Sequence, residues 1–226
     1  MDERRWERLA AVSGIGFAAA VLVGSFLPGT PPKPDDPISK IQAFFVDHRT
    51  KYLASVLVFG AGLAFFLWFL GVLRSVLRRG EGGTGRLSAL AFGAGLVVAA
   101  VAFASGFATV TLAYRIAPSP SADPNLIRTL FDFGNLSGSL IGFPAAVVLG
   151  ASSLVILRTG VLAKAVGWLG LLAAAGNLAG VSEIFYRRGS WAPGGSATFI
   201  PFAVVLLWVL VASIAIIVKL RPAAAA

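Results

Sequence analysis

The chain has 226 residues, of which 57% are hydrophobic and only 13% charged, with a mean hydropathy of +0.84; ordinary globular domains carry about 25% charge. Its formal charge of +9 would suit nucleic acid, but Lys and Arg sit at the ends of apolar runs, where they set orientation and meet lipid headgroups, so nucleic-acid binding is not expected. The absence of cysteine and the single histidine, His48, exclude disulfides, thiolate or His-rich metal sites and bis-histidine haem, so no metal or cofactor is predicted.

A bilayer core about 30 Å thick needs roughly 20 apolar residues of helix. Six stretches are predicted to meet that need, at 9–27, 52–73, 87–113, 136–157, 165–184 and 199–218. The first follows Arg4, Arg5 and Arg8 and so has the form of a signal peptide, yet no small-x-small cleavage site precedes the Pro-rich stretch 28–37. The expectation is an uncleaved first span in an all-α polytopic transmembrane bundle: a single domain, 1–226, of six spans in three hairpins. No connecting segment is long enough for a soluble domain.

With the N-terminus inside, eleven basic and four acidic residues fall on the cytoplasmic side, net +7, and eight basic and six acidic outside, net +2. Both termini are therefore predicted to be cytoplasmic, in a cell membrane.

Two outer loops carry helix-start signals. Asp36-Pro37 and Asp123-Pro124 each read as an N-cap followed by Pro at the first helical position. After Pro37, the residues Ile38, Ile41, Phe44 and Phe45 fall at helical spacing, opposite Ser39, Lys40, Gln42 and Asp47, which predicts an amphipathic interfacial helix. The stretch 125–133 repeats that pattern before the fourth span. These starts lie 87 residues apart, and Arg74 corresponds to Arg158. The spacing fits a duplication of 36–113 as 123–184; an array of hairpins obeying topology rules would give the same periodicity.

Small residues at every fourth position let helix backbones approach closely in lipid. Gly134, Gly138 and Gly142 form one such face, Gly176 and Gly180 another, and Ala102 with Gly106 a third. They serve packing within the bundle or contact with a membrane-protein partner or second copy. Pro144 and Pro201 fall within predicted spans, where a helix bond is lost and a kink is favoured. Trp6, Trp168 and Trp191 sit near predicted interfaces, Trp68 and Trp208 deeper.

An ionisable group at membrane depth marks a functional candidate. Glu183 closes span five beside Tyr186, Arg187 and Arg188; Asp132 and Asn135 open span four; Asn177 lies within span five; Asp47, His48 and Arg115 belong to the outer loops. These seven could line an outward-facing polar cavity that binds a small ion, molecule or lipid headgroup, or form ordinary interfacial ion pairs. No Gly-x-Ser-x-Gly elbow accompanies His48, and the run 80–85 lacks a P-loop ending, so no catalytic residue is predicted. Binding or transport through that cavity is the first function the residues suggest, a structural subunit docked through the small faces the second, and a membrane enzyme the third.

Several segments together, Phe44-Phe45-Val46-Asp47-His48-Arg49, Phe143-Pro144-Ala145-Ala146, Arg158-Thr159-Gly160-Val161-Leu162 and Gly167-Trp168-Leu169-Gly170, resemble a family of small hydrophobic actinobacterial membrane proteins of unknown function. The resemblance implies a bacterial inner-membrane location and no particular activity.

Overall fold

The computed structural model describes residues 10–220, with no strand among them. In chain order the helices are α1 (Ser13–Phe26), α2 (Ile38–Asp47), α3 (Arg49–Glu81), α4 (Arg86–Thr111), α5 (Pro124–Ser139), α6 (Gly142–Thr159), α7 (Lys164–Gly180) and α8 (Phe199–Lys219). A π-helical turn, Leu112–Ile116, extends α4; 3-10 turns extend α7 (Val181–Phe185) and lead into α8 (Ser196–Thr198).

Five stretches are long and apolar enough to cross a bilayer: Arg49–Glu81, Arg86–Ile116, Pro124–Thr159, Lys164–Phe185 and Ser196–Lys219. The predicted first span corresponds to α1, apolar but 14 residues long, which rises about 21 Å at 1.5 Å per residue. Leu9, Trp6 and the basic residues before them, and Arg221, lie outside the described residues.

Six helices form a ring in the order α1, α3, α4, α6, α7, α8, with α8 closing on α1 and α3 touching α6 across the middle. One apolar core runs through it, including Phe17, Phe69, Leu70, Leu149, Ile156, Trp208 and Ile216. Close backbone approach explains how the ring closes around such bulky residues. A Cβ at Gly95 would meet the Leu70 side chain at 2.5 Å, and one at Gly167 would meet Leu157 at 2.7 Å. The outside is apolar as well, with Leu57, Phe107 and Leu172 exposed. In water such a surface would drive association; in hydrocarbon it is solvated.

The turns that follow α3 and α6 are held by short-range chemistry. Glu81 accepts from the backbone N–H of Leu87 (2.8 Å) and Ser88 (2.9 Å), satisfying free donors in the first turn of α4. Gly160 ends α6 in the left-handed region at φ 65°, and Lys219 Nζ donates to the Val161 carbonyl at 2.6 Å, tying α8 to that turn.

Two expectations about helix ends change. Asp123 does cap α5, its side chain accepting from Asn125 N–H at 2.9 Å. Asp36 does not cap α2: Pro37 itself takes the extended capping conformation (φ −58°, ψ 148°), leaving Asp36 one residue too far out. Nor do the prolines kink span interiors. The chain breaks at Leu140 and Ile141, so Pro144 is the third residue of α6, and Pro201 is the third of α8. In a first turn the missing N–H leaves no helix bond unmade.

Candidate functional site

Chain direction places the loops 27–37, 117–123 and 186–195 at one end of the ring, together with α2 and α5. Both helices are amphipathic, and their apolar residues Ile41, Phe45, Ile127 and Phe131 join Leu112 and Ala113 of the π turn in a second apolar cluster. Gln42 Nε2 donates to the Ala117 carbonyl at 3.0 Å, fixing α2 to the loop before α5.

Arg128, on α5, holds the loop before α2. Its Nη1 donates to the Pro34 carbonyl and its Nη2 to the Asp36 carbonyl, each at 2.8 Å, while Asp132 stands at 3.7 Å on the next turn. A planar fork that satisfies two carbonyls, two residues apart, suits a guanidinium and no other side chain. Asp36 completes the loop by accepting from Lys33 N–H (2.8 Å) and Lys40 Nζ (2.9 Å).

The Lys40 ammonium, followed by the Lys33 N–H, holds the Asp36 carboxyl below its ordinary pKa. A depressed native pKa contributes order that is present above the unfolded value, about 4, and disappears as pH falls through the depressed value. Amide exchange over residues 33–40, corrected for intrinsic rates, is accordingly expected to rise below about pH 4 in the native chain. In Asp36→Asn it should be fast at every pH. Slow, pH-independent exchange in that variant would contradict the role.

Above this loop lies a pocket of about 390 Å³ lined by Pro34, Asp35, Arg128, Arg187 and Arg188. Its lining carries three guanidinium groups and one carboxylate. Arg187 and Arg188 are exposed, and among the described residues neither makes a hydrogen bond or ion pair. Their N–H donors are free for a ligand.

The seven residues predicted to share a cavity are distributed over three places. Asp47 is exposed at the end of α2; His48 makes the bend into α3, its ring stacked on Phe44 at 4.9 Å and Nδ1 3.3 Å from the Phe44 carbonyl; Arg115 is exposed on the π turn. Asp132 pairs loosely with Arg128 near the pocket. Asn135, Asn177 and Glu183 lie toward the bundle. Asn177 is buried and spent on structure, its Nδ2 donating to the carbonyls of Ala173 (2.8 Å) and Pro201 (3.4 Å). Glu183 is buried beside the Ser139 side chain, whose hydroxyl donates to the Asn135 carbonyl at 3.1 Å. Among the described residues no hydrogen bond joins any two of Asp47, His48, Asp132 and Glu183, and no group of three His, Asp or Glu is placed to hold a metal.

The predicted small-residue faces divide likewise. An added Cβ at Gly134 would meet Thr109 of α4, at Gly142 Val181 and the Asn177 carbonyl, and at Gly180 Pro201, while Gly138, Gly176 and Gly106 have nothing within 4 Å. The break at Leu140 and Ile141 turns Gly134 and Gly142 toward different neighbours.

Sequence reading passed over Asp35, Arg128, Arg187 and Arg188 as site residues. The tandem Arg187-Arg188, directly after an apolar span, was the available signal; the link from Arg128 to a carbonyl 94 positions away was not readable.

Fold and pocket together define an integral, multi-pass helical membrane protein with an arginine-lined recess at one end. No family model matches the chain, and neither a curated protein nor a solved structure does so.

Proposed function

We propose that this chain is a membrane-embedded binding protein that takes a small anion into the recess formed by Arg128, Arg187 and Arg188, on the outer face of a bacterial inner membrane. The observation that carries the reading is a pair of exposed, unpartnered guanidinium groups that line one pocket with a third, which is fixed by two carbonyls. A fixed donor beside free ones gives orientation together with charge. The orientation rests on the smaller basic excess of this end, net +2 against +7, which also puts both termini in the cytoplasm. The resemblance to actinobacterial membrane proteins supports the inner-membrane location. The filled interior, whose buried residues include Phe69, Leu70, Leu149 and Trp208, favours binding at the rim over passage through the ring.

Calorimetric titration of the detergent-solubilised protein with sulfate, phosphate and citrate tests the reading. At least one of them should bind saturably, and Arg187→Gln/Arg188→Gln should weaken it at least tenfold, since charge-assisted hydrogen bonds contribute about 1.5 to 3 kcal/mol each. Unchanged affinity in the double variant would remove the recess as the site.

A second reading, an accessory subunit, draws on Gly176, which is exposed on α7 with open space around it. Leucine there should leave the bundle folded and abolish association with a partner or second copy in crosslinking from native membranes. Intact association would rule that face out.

A further inference from the structure

We infer that the anion recognised in the recess is a phosphate group, and that Arg187 and Arg188 grip it as paired forks while Arg128 fixes the floor; this rests on the anion-binding reading above. The chemistry begins with position. Arg187 and Arg188 follow directly on Tyr186, the residue after the 3-10 extension of α7 ends at Phe185; Phe185 is 83% exposed and Tyr186 51%. An exposed aromatic surface at the end of a membrane-spanning segment sits where hydrocarbon gives way to headgroups. The cations therefore stand at the depth of the phosphate layer, with an apolar contact for an acyl chain one residue away.

The donors suit that group. A guanidinium presents N–H donors in a plane that matches two phosphate oxygens at once, whereas a carboxylate offers only two oxygens in one plane and, once matched to one of the two free forks, would leave the other without a matching pair. A tetrahedral phosphate can engage several forks from different directions. The recess, about 390 Å³, is large enough for a phosphate with a small substituent. Asp35, on the rim, subtracts one charge, leaving a formal net +2 among the lining side chains, enough for the single negative charge of a phosphodiester.

The phosphate can belong to a lipid headgroup or to a free phosphate compound, and the two sources separate experimentally. The full-length protein is placed in nanodiscs of digalactosyldiacylglycerol, a lipid without phosphate, alone or with one fifth phosphatidylglycerol. Native mass spectrometry then counts retained phosphatidylglycerol, and equilibrium dialysis with radiolabelled orthophosphate measures the free ion. Two double variants are compared: Arg187→Gln/Arg188→Gln, in the recess, and Lys51→Gln/Arg115→Gln, which removes the same charge from exposed positions at the same end but outside it.

The inference predicts that one phosphate source binds saturably and that the recess variant loses at least tenfold in affinity or retention while the control loses less than threefold. Phosphatidylglycerol retention identifies the source as lipid; orthophosphate binding in the phosphate-free nanodiscs, with no phosphatidylglycerol retained in the mixed ones, identifies it as soluble. Equal losses in both variants would mean general surface attraction and overturn the inference. If citrate binds the recess but neither phosphate source does, the phosphate assignment fails and the anion-binding reading stands. If no anion binds, both fail.

Discussion

Replacing Trp208 by alanine is expected to destabilise the bundle by about 3 kcal/mol, the lower end for removal of a buried aromatic ring. Trp208 is 1% exposed on α8, where its ring faces Gly170 of α7 and its Nε1 donates to the Val166 carbonyl at 3.0 Å. Lipid tails are as apolar as the ring, so little of that effect comes from transfer out of water. It comes from lost contacts and an unfilled space between α6, α7 and α8. A Cβ at Gly170 would overlap Ser153 Oγ and come within 2.6 Å of Trp208 Nε1, which shows how tightly the three helices meet. Ser153 Oγ is buried there without a hydrogen-bond partner among the described residues, so the vacated space would adjoin a polar atom and admit water. Trp208→Phe separates the contributions: it keeps most of the ring, loses the N–H, and should cost about 1 kcal/mol. Reversible unfolding in mixed micelles measures both. Equal effects from the two substitutions would mean that the hydrogen bond, not the packing, holds this junction.

The helical architecture was legible because one length scale governs it. Uninterrupted apolar runs with basic ends gave the spanning helices, and Asp123-Pro124 marked the start of α5, because these signals act within a single turn. The amphipathic α2 was legible for the same reason, its buried residues Ile41 and Phe45 being four apart. Where α5 ends was not. The run from Leu136 to Ile141 contains nothing that must stop a helix, and the break falls where Gly142 meets the α7 backbone at Asn177, a contact between distant parts of the chain. The same limit applied to the site. Glu183 and Asn177 stood out as polar groups in apolar runs, yet a polar residue at membrane depth is also explained by bonding the backbone, as Asn177 does with Ala173 and Pro201. Arg128 drew no notice, being one more basic residue near an interface, until the fold brought it to Pro34 and Asp36.

Arg128→Ala is therefore expected to have the largest effect on binding of any single substitution at this end. The side chain is 29% exposed, and its two 2.8 Å bonds orient the loop that supplies Pro34 and Asp35 to the recess. Water can replace the lost donors in a loop outside the membrane, so the stability loss should be modest, about 2 kcal/mol. Binding depends on more than those two bonds. The substitution removes one of three guanidinium groups and at the same time frees the wall opposite the other two, so affinity should fall more than thirtyfold, about 2 kcal/mol. Arg128→Lys keeps the charge but offers a single ammonium, which cannot serve carbonyls of two residues in fixed planar geometry; it should recover less than half of the lost binding free energy. Asp132→Ala is the contrasting case. At 3.7 Å and with its side chain 49% exposed, that carboxylate contributes less than about 0.5 kcal/mol to Arg128, so the variant should bind like the native protein. Amide exchange over residues 33–36 gives a readout independent of ligand: it should accelerate in both Arg128 variants and stay slow in Asp132→Ala. Should the loop remain protected without Arg128, the recess would be shaped by other contacts and its floor would have to be assigned elsewhere.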